Sequence, residues 1–224
     1  TYLPMILVMF VLRIEEEEPH PSMRDPYLSQ LLEGLRYTRD HAPIRQVILL
    51  AAVSNFFGRG VLELMPAFAA LIFAGGPDEL AALMAAAGVG AILASLLFSS
   101  RSFGAHLHHV VVIGAFGVGV STLLFAFVSN LVTGVIVVAL LGLFTSIVAI
   151  GSQTEVQVSV ENRLRARVMS MWTITIVGGP ALGSAVAGAL AGSIGSAYTS
   201  LGFAVACLLL IGLVGIANPR QEVR

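Results

Sequence analysis

The stretch Leu131–Gly151 reads LVTGVIVVALLGLFTSIVAIG and holds no charged residue. A helix needs roughly 20 consecutive apolar residues to cross the hydrocarbon core of a bilayer, so this stretch is long enough to span one. Five more stretches have comparable length, and among them only Val47–Ala74 contains charges, Arg59 and Glu63. The other four are Leu80–Phe98, Val110–Val128, Val168–Leu190 and Tyr198–Ala217.

Composition agrees with a membrane protein and identifies the spans as helices. The chain is 57% hydrophobic and only 11% charged, far from the balance of a soluble domain. Backbone polar groups in lipid must be satisfied within the structure, which leaves helices or a closed barrel. Barrel strands alternate apolar and polar residues, whereas these stretches are continuously apolar. The sequence therefore predicts an all-α, polytopic bundle of six transmembrane helices.

The placement of arginine predicts the topology. All twelve basic residues are arginine, and eleven of them fall on alternate connections between the predicted spans. The intervening connections, around Gly75–Glu79, Ser129–Asn130 and Ala191–Ala197, hold none. Because basic residues concentrate on the cytoplasmic side, both ends of the six-helix block are predicted to be cytoplasmic. The eleven are Arg13, Arg24, Arg36, Arg39, Arg45, Arg101, Arg163, Arg165, Arg167, Arg220 and Arg224.

Four regions follow along the chain. Residues 1–12 are interpreted as the end of a truncated transmembrane helix, with a short surface anchor as the alternative. Residues 13–42 form a cytoplasmic linker whose part after Pro26 has the spacing of an amphipathic helix, on the membrane surface or against the bundle. Residues 43–217 are the bundle, which divides as three helices plus three, the arrangement of an inverted repeat. Residues 218–224 are a cytoplasmic tail.

Glycine and proline mark the fifth span. Gly178 and Gly179 directly precede Pro180 in mid-span, where proline is expected to kink the helix. Gly183 lies four residues after Gly179, and Gly188 and Gly192 repeat that spacing, which lets helices approach closely in lipid. The group Gly178, Gly179, Pro180 and Gly183 is interpreted as a bendable gating helix, with plain close packing as the alternative.

Several segments resemble the major facilitator superfamily. Gln157–Ser170 reads QVSVENRLRARVMS, and it is similar to the bacterial efflux branch that includes the enterobactin exporters. Members of that branch carry an Arg-Gly-Arg-Val-Met-Ser-like sequence at the entry of the eleventh helix, where this chain has Ala166 in place of the glycine. The segments NFFG at Asn55–Gly58, AAGVGAIL at Ala86–Leu93 and GPALGSAVAG at Gly179–Gly188 also resemble this branch.

The resemblance implies that the chain is the C-terminal half of a twelve-helix secondary transporter. Its partners would be the missing N-terminal six-helix half, the lipid bilayer and a small-molecule substrate. The implied activity is proton-coupled export of small hydrophobic, drug-like or siderophore-like molecules. The alternatives are an uptake carrier for a small metabolite and a non-transporting scaffold or defective half.

The resemblance also implies a conformational latch formed by Arg101, Arg163, Arg165 and Arg167. Arg163, Arg165 and Arg167 directly precede a span, so they also suit contact with lipid phosphates as topology anchors. In the loop before the third span, the acid usual in the superfamily is absent, and histidines replace its later arginines. Those histidines are His106, His108 and His109.

Asn55, Arg59 and Glu63 are the candidates for a substrate and proton pathway. A charge inside a span is costly and tends to face a cavity or a partner. Spacing of four residues predicts that all three share one helix face, which lines a cavity or holds a self-neutralising pair. Glu63 is the only acid within the predicted spans, so it is the candidate proton carrier.

No catalytic constellation is visible, which predicts that the protein is not an enzyme. The sequence has no hydrolase elbow, phosphate loop, paired zinc cysteines or nucleotide fingerprint, so no cofactor and no nucleic-acid partner are expected. The three histidines have no evident fourth ligand nearby, and we expect no metal site.

Overall fold

The computed structural model describes residues 27–71, 73, 75–100 and 106–217. Every regular element in this part of the chain is helical. Some of the predictions concern residues outside this part of the chain. They are those on residues 1–12, on the first half of the linker, on Arg101 and on residues 218–224. The helices are α1 (Tyr27–Asp40), α2 (Ala42–Ser54), α3 (Gly60–Leu62), α4 (Met65–Leu71), α5 (Pro77–Ser100), α6 (Leu107–Ala126), α7 (Leu131–Ser159), α8 (Asn162–Ile194) and α9 (Ser196–Ala217).

These helices form six segments that are long and apolar enough to cross a membrane, which confirms the predicted all-α architecture. The first span, Ala42–Ala70, is composite: α2, a π-helical turn at Asn55–Arg59 (hereafter the π-turn), α3 and α4. The other five spans are α5 to α9.

Two of the helices run well past the apolar stretches that predicted them. α7 continues to Ser159 and α8 begins at Asn162, so only Val160 and Glu161 separate them. Most of the residues that α7 adds, Ser152–Ser159, are polar, but no proline or glycine follows Gly151 to end the helix. Polar side chains are tolerated there because helix ends lie at the water interface. The two helices therefore carry charged residues beyond the apolar core.

Local chemistry explains two of the tight connections. At the start of α7, the side-chain oxygen of Asn130 accepts a hydrogen bond from the Thr133 backbone N–H at 3.0 Å, which caps the helix. Between α8 and α9 a single residue, Gly195, makes the turn with φ of 89°. L side chains rarely adopt that conformation, so glycine is required at this position.

Small residues set the closest helix approaches. α5 and α7 form the most extensive pairing of the bundle. A Cβ added to Gly90 would collide with the carbonyl oxygen of Ala139, and one added to Gly142 would collide with that of Ala87. In lipid, where apolar burial gives little drive for association, such backbone contact is a main source of helix–helix attraction.

α5 and α8 are the least buried of the spans. Large apolar side chains on them are open, including Met84, Ile92 and Leu182, each more than half exposed. An exposed apolar surface of this extent suits lipid or a second membrane domain, not water.

Helix α1 packs against the start of α8. A Cβ on Gly34 would lie 3.0 Å from the carbonyl oxygen of Arg167. Of the two placements left open for an amphipathic linker helix, the structure has the one against the bundle.

Candidate functional site

The first span changes helical register where its charged residues lie. In the π-turn, Asn55–Arg59, backbone hydrogen bonds skip one residue more than in an α-helix. Asn55 is buried, and its side-chain Nδ2 donates to the Ala51 carbonyl at 2.8 Å. Arg59 and Glu63 are exposed. Asn55 is therefore inside the bundle, whereas Arg59 and Glu63 are on its surface, so the three do not form one exposed stripe.

Arg59 and Glu63 also do not form the self-neutralising pair that was one reading of the sequence. Within the described residues no ion pair joins them. Glu63 begins a turn after α3, and its backbone N–H reaches the Arg59 carbonyl at 3.4 Å. Both side chains are open on the surface of this bundle, where a partner domain or a water-filled cavity could meet them.

The π-turn lies directly against the glycines of α8. A Cβ on Gly183 would collide with the carbonyl oxygen of Phe56, and one on Gly60 would lie 2.9 Å from the Gly183 carbonyl carbon. A Cβ on Gly179 would be 3.5 Å from the Asn55 Cβ. We call this contact the mid-span crossing. It brings together residues of two sequence-predicted sites, the polar first span and the glycine-rich fifth span.

The other predicted features of α8 are more mixed. The helix continues through Pro180, whose missing N–H leaves the Ile176 carbonyl without its usual donor. Gly178, Gly188 and Gly192 have no described atom within 4 Å of an added Cβ. The expectation of close approach therefore holds at Gly183 and fails at Gly188 and Gly192.

The three described latch arginines, Arg163, Arg165 and Arg167, have different surroundings. Arg167 Nη1 donates to Glu33 Oε2 of α1, a residue that the sequence reading had not singled out. Arg165 Nη2 donates to the Val160 carbonyl at 3.4 Å, while its buried Nε has no hydrogen-bond partner in the described chain. Arg163 is exposed. Arg101 lies outside the described residues.

A histidine–carboxylate pair joins α6 to α7 at the same end of the bundle. His108 Nδ1 lies 3.0 Å from Glu155 Oε1. Glu155 lies beyond Gly151, where the predicted span ends, and the structure extends α7 past it to Ser159. Continuation of the pattern past Gly151 without a helix breaker was the signal that could have included Glu155.

A second cross-helix contact lies close by in sequence: Trp172 Nε1 of α8 donates to Ser152 Oγ of α7 at 3.0 Å. His106 and His109 contact each other, and His109 contacts His108, through their rings. Among the residues described, no three His, Cys, Asp or Glu side chains converge as a metal site would need. A shallow apolar groove of about 330 Å³ between α2, α6 and α9 does not include Arg59 or Glu63.

Comparison with known proteins finds one matching family and several matching solved structures. The profile of a family described as transmembrane secretion effector matches residues 1–223. Four chains of solved structures also match. One is the E. coli fucose:proton symporter FucP, with a TM-score of 0.69 and 16% sequence identity over 98% of this chain. The chain spans about half of that symporter, 53% of its length. No curated protein matches the sequence.

Proposed function

Because the chain belongs to the transmembrane secretion effector family of the major facilitator superfamily, we propose that it acts as the C-terminal half of a proton-coupled exporter. The substrates would be small hydrophobic, drug-like or siderophore-like molecules, as in the efflux branch that its sequence resembles. The observation that carries the proposal is the family match, which covers residues 1–223. The description of that family, transmembrane secretion effector, favours export.

The second half of the carrier is part of the proposal. Substrate sites of such carriers lie at the midplane, between two repeated halves. The open apolar faces of α5 and α8 fit a six-span bundle that is completed by six further helices. The exposed side chains of Arg59 and Glu63 would then face the chamber, while Asn55 fixes the π-turn behind them.

Movement would centre on the mid-span crossing. Gly179 and Gly183 lie where α8 meets the π-turn. Gly178 and Pro180 adjoin them in the sequence, and the missing hydrogen bond at Pro180 lowers the cost of bending there. Arg163, Arg165 and Arg167 would hold one arrangement of the cytoplasmic end, with Arg101 as a further member of the latch. The proposed roles of these glycines, of Pro180 and of the arginines are conformational, and no residue is proposed to be catalytic.

A vesicle assay tests both coupling and direction. The intact protein is placed in inside-out membrane vesicles of a host that lacks its own drug exporters, and Hoechst 33342 serves as the probe. With an acidic lumen, an exporter should move dye from the medium into the vesicle, and a protonophore should abolish the movement. Gradient-driven movement out of the lumen would favour the uptake alternative. Absence of any gradient-dependent movement, for this dye and for a catecholate siderophore, would overturn the proposal.

A labelling experiment tests the proposed orientation. Gly76→Cys and His106→Cys are made separately in a Cys207→Ala background, because Cys207 is the sole cysteine and is buried. Residues 76 and 106 are both exposed and lie at opposite ends of the bundle. A membrane-impermeant thiol reagent should label position 76 from outside the cell and position 106 only after the membrane is opened. Labelling of both from the same side would contradict the topology.

A further inference from the structure

Glu155 is a carboxylate in an unusual position for a transmembrane protein. Its side chain is only 14% exposed, and one oxygen, Oε1, lies 3.0 Å from His108 Nδ1. The other oxygen, Oε2, is fully buried and has no hydrogen-bond partner within the described part of the chain. A buried ionised carboxylate with an unsatisfied oxygen is costly, so its surroundings must supply a compensating charge or neutralise it.

Other charged groups at this end are engaged elsewhere. On α8, Arg165 donates to the Val160 carbonyl and Arg167 to Glu33. On α2, Arg45 donates to the Arg39 carbonyl at 2.7 Å. On α5, the last described turn, residues 97–100, has no ionisable side chain. Among the described basic side chains, only His108 lies within hydrogen-bond distance of the Glu155 carboxylate.

The neighbouring ionisable groups on the same elements complete the picture. His106 and His109 lie on the first turn of α6, and the His109 ring centroid is 6.3 Å from that of His108. Glu161 is exposed in the turn before α8, as is Arg163 on its first turn. These groups modulate the field at the pair, but none of them contacts Glu155.

From this arrangement we propose that His108 and Glu155 form a proton-binding site that clasps α6 to α7. One proton neutralises the pair, whether it is held as an imidazolium facing a carboxylate or as a neutral carboxyl facing an imidazole. The side chain of His108 is 30% exposed, which gives water at this end of the bundle a route to the site. The proposal does not depend on the substrate or on the direction of transport.

The sign of the effect follows from charge. With the proton bound, the pair is neutral overall, so the buried carboxyl group carries no uncompensated charge. When the proton leaves, a hydrogen bond from Nδ1–H can remain, but the buried carboxylate keeps an uncompensated charge that favours hydration. Imidazole side chains change charge between about pH 5 and 8. Acid should therefore close the clasp, and alkali should loosen it.

Spin labels can report the clasp without any transport assay. Ile113→Cys on α6 and Val158→Cys on α7 are combined in the Cys207→Ala background of the intact protein, in lipid nanodiscs. Both positions are well exposed, at 65% and 76%. The distance between the two spin labels is measured by pulsed electron–electron double resonance at about pH 5.5 and pH 8, near the two ends of the range in which imidazole side chains change charge. We expect a longer and broader distribution at the higher pH.

Variants assign the response to the pair. His108→Arg, a permanent cation, should keep the short distance at both pH values, and Glu155→Gln should remove the pH response. His109→Gln is the matched control on the same turn and should respond like the parent. If Glu155→Gln does not fold, His108→Gln gives the same test through the other partner. The proposal is overturned if the parent shows no pH response, if the response survives His108→Arg, or if His109→Gln abolishes it.

Discussion

The mid-span crossing and the end of the bundle that holds His108 and Arg167 are built from different interactions. At the crossing, glycine lets backbone touch backbone: Gly183 against the Phe56 carbonyl and Gly60 against Gly183. At that end, ionisable side chains pair: His108 with Glu155, and Arg167 with Glu33. The backbone contacts at the crossing involve no titratable group, whereas both side-chain pairs at the other end consist of titratable groups.

This difference shows how one helix bundle can combine contacts that are insensitive to pH and salt with contacts that respond to both. Close backbone contact depends on shape, so pH and salt leave it unchanged. Ion pairs near water are weaker and respond to both conditions. A carrier that rocks about its middle and is released at its end would use the two kinds of contact in these two places.

The largest expected effect comes from filling the crossing. Gly183→Ala would force its Cβ into the Phe56 carbonyl, and overpacking of this kind costs about 1–3 kcal/mol. We expect a clear drop in the melting temperature of the purified protein and in the amount inserted in membranes. Gly188→Ala is the matched control five residues later, where an added Cβ meets nothing within 4 Å. The control should be neutral or stabilising, since alanine favours a helix over glycine by about 1 kcal/mol. Equal effects of the two would show that the crossing is not a close contact.

Glu63→Gln tests the exposed acid beside the crossing. If Glu63 carries protons, gradient-driven dye transport should fall several-fold and its pH profile should flatten, while inserted protein stays near the parent level. Asp78→Asn is a control at another exposed acid, in the first turn of α5. Transport by Glu63→Gln at the parental rate with the parental pH profile would remove Glu63 from the mechanism.

Replacing the latch arginines should have a smaller effect on stability than on cycling. Arg165→Gln with Arg167→Gln breaks the Glu33 pair, and exposed or half-exposed pairs are worth about 0–1 kcal/mol. We expect slower transport with nearly unchanged expression. Arg163→Gln, at an exposed arginine of the same turn, serves as the comparison. A large loss of inserted protein with unchanged specific activity would instead mark the two arginines as topology anchors.

The sequence predicted the spans because hydrophobic length alone determines which segments can cross a bilayer. It could not predict the π-turn, since NFFGR carries no signal that distinguishes it from an α-helix, nor could it predict that Asn55 is buried while Arg59 and Glu63 are exposed. The contact of Gly183 with Phe56 and the pair of His108 with Glu155 join residues far apart in sequence. Only the packed helices reveal such contacts.

Hydrogen–deuterium exchange at two pH values tests most directly the claim that the two regions respond differently. Exchange of the intact protein in nanodiscs is compared at about pH 5.5 and pH 8, after correction for the chemical exchange rate. The account predicts that peptides covering residues 106–112 and 152–159 lose protection at the higher pH, while those covering residues 52–62 and 179–187 do not change. Equal loss of protection in both regions, or a change confined to the crossing, would contradict it.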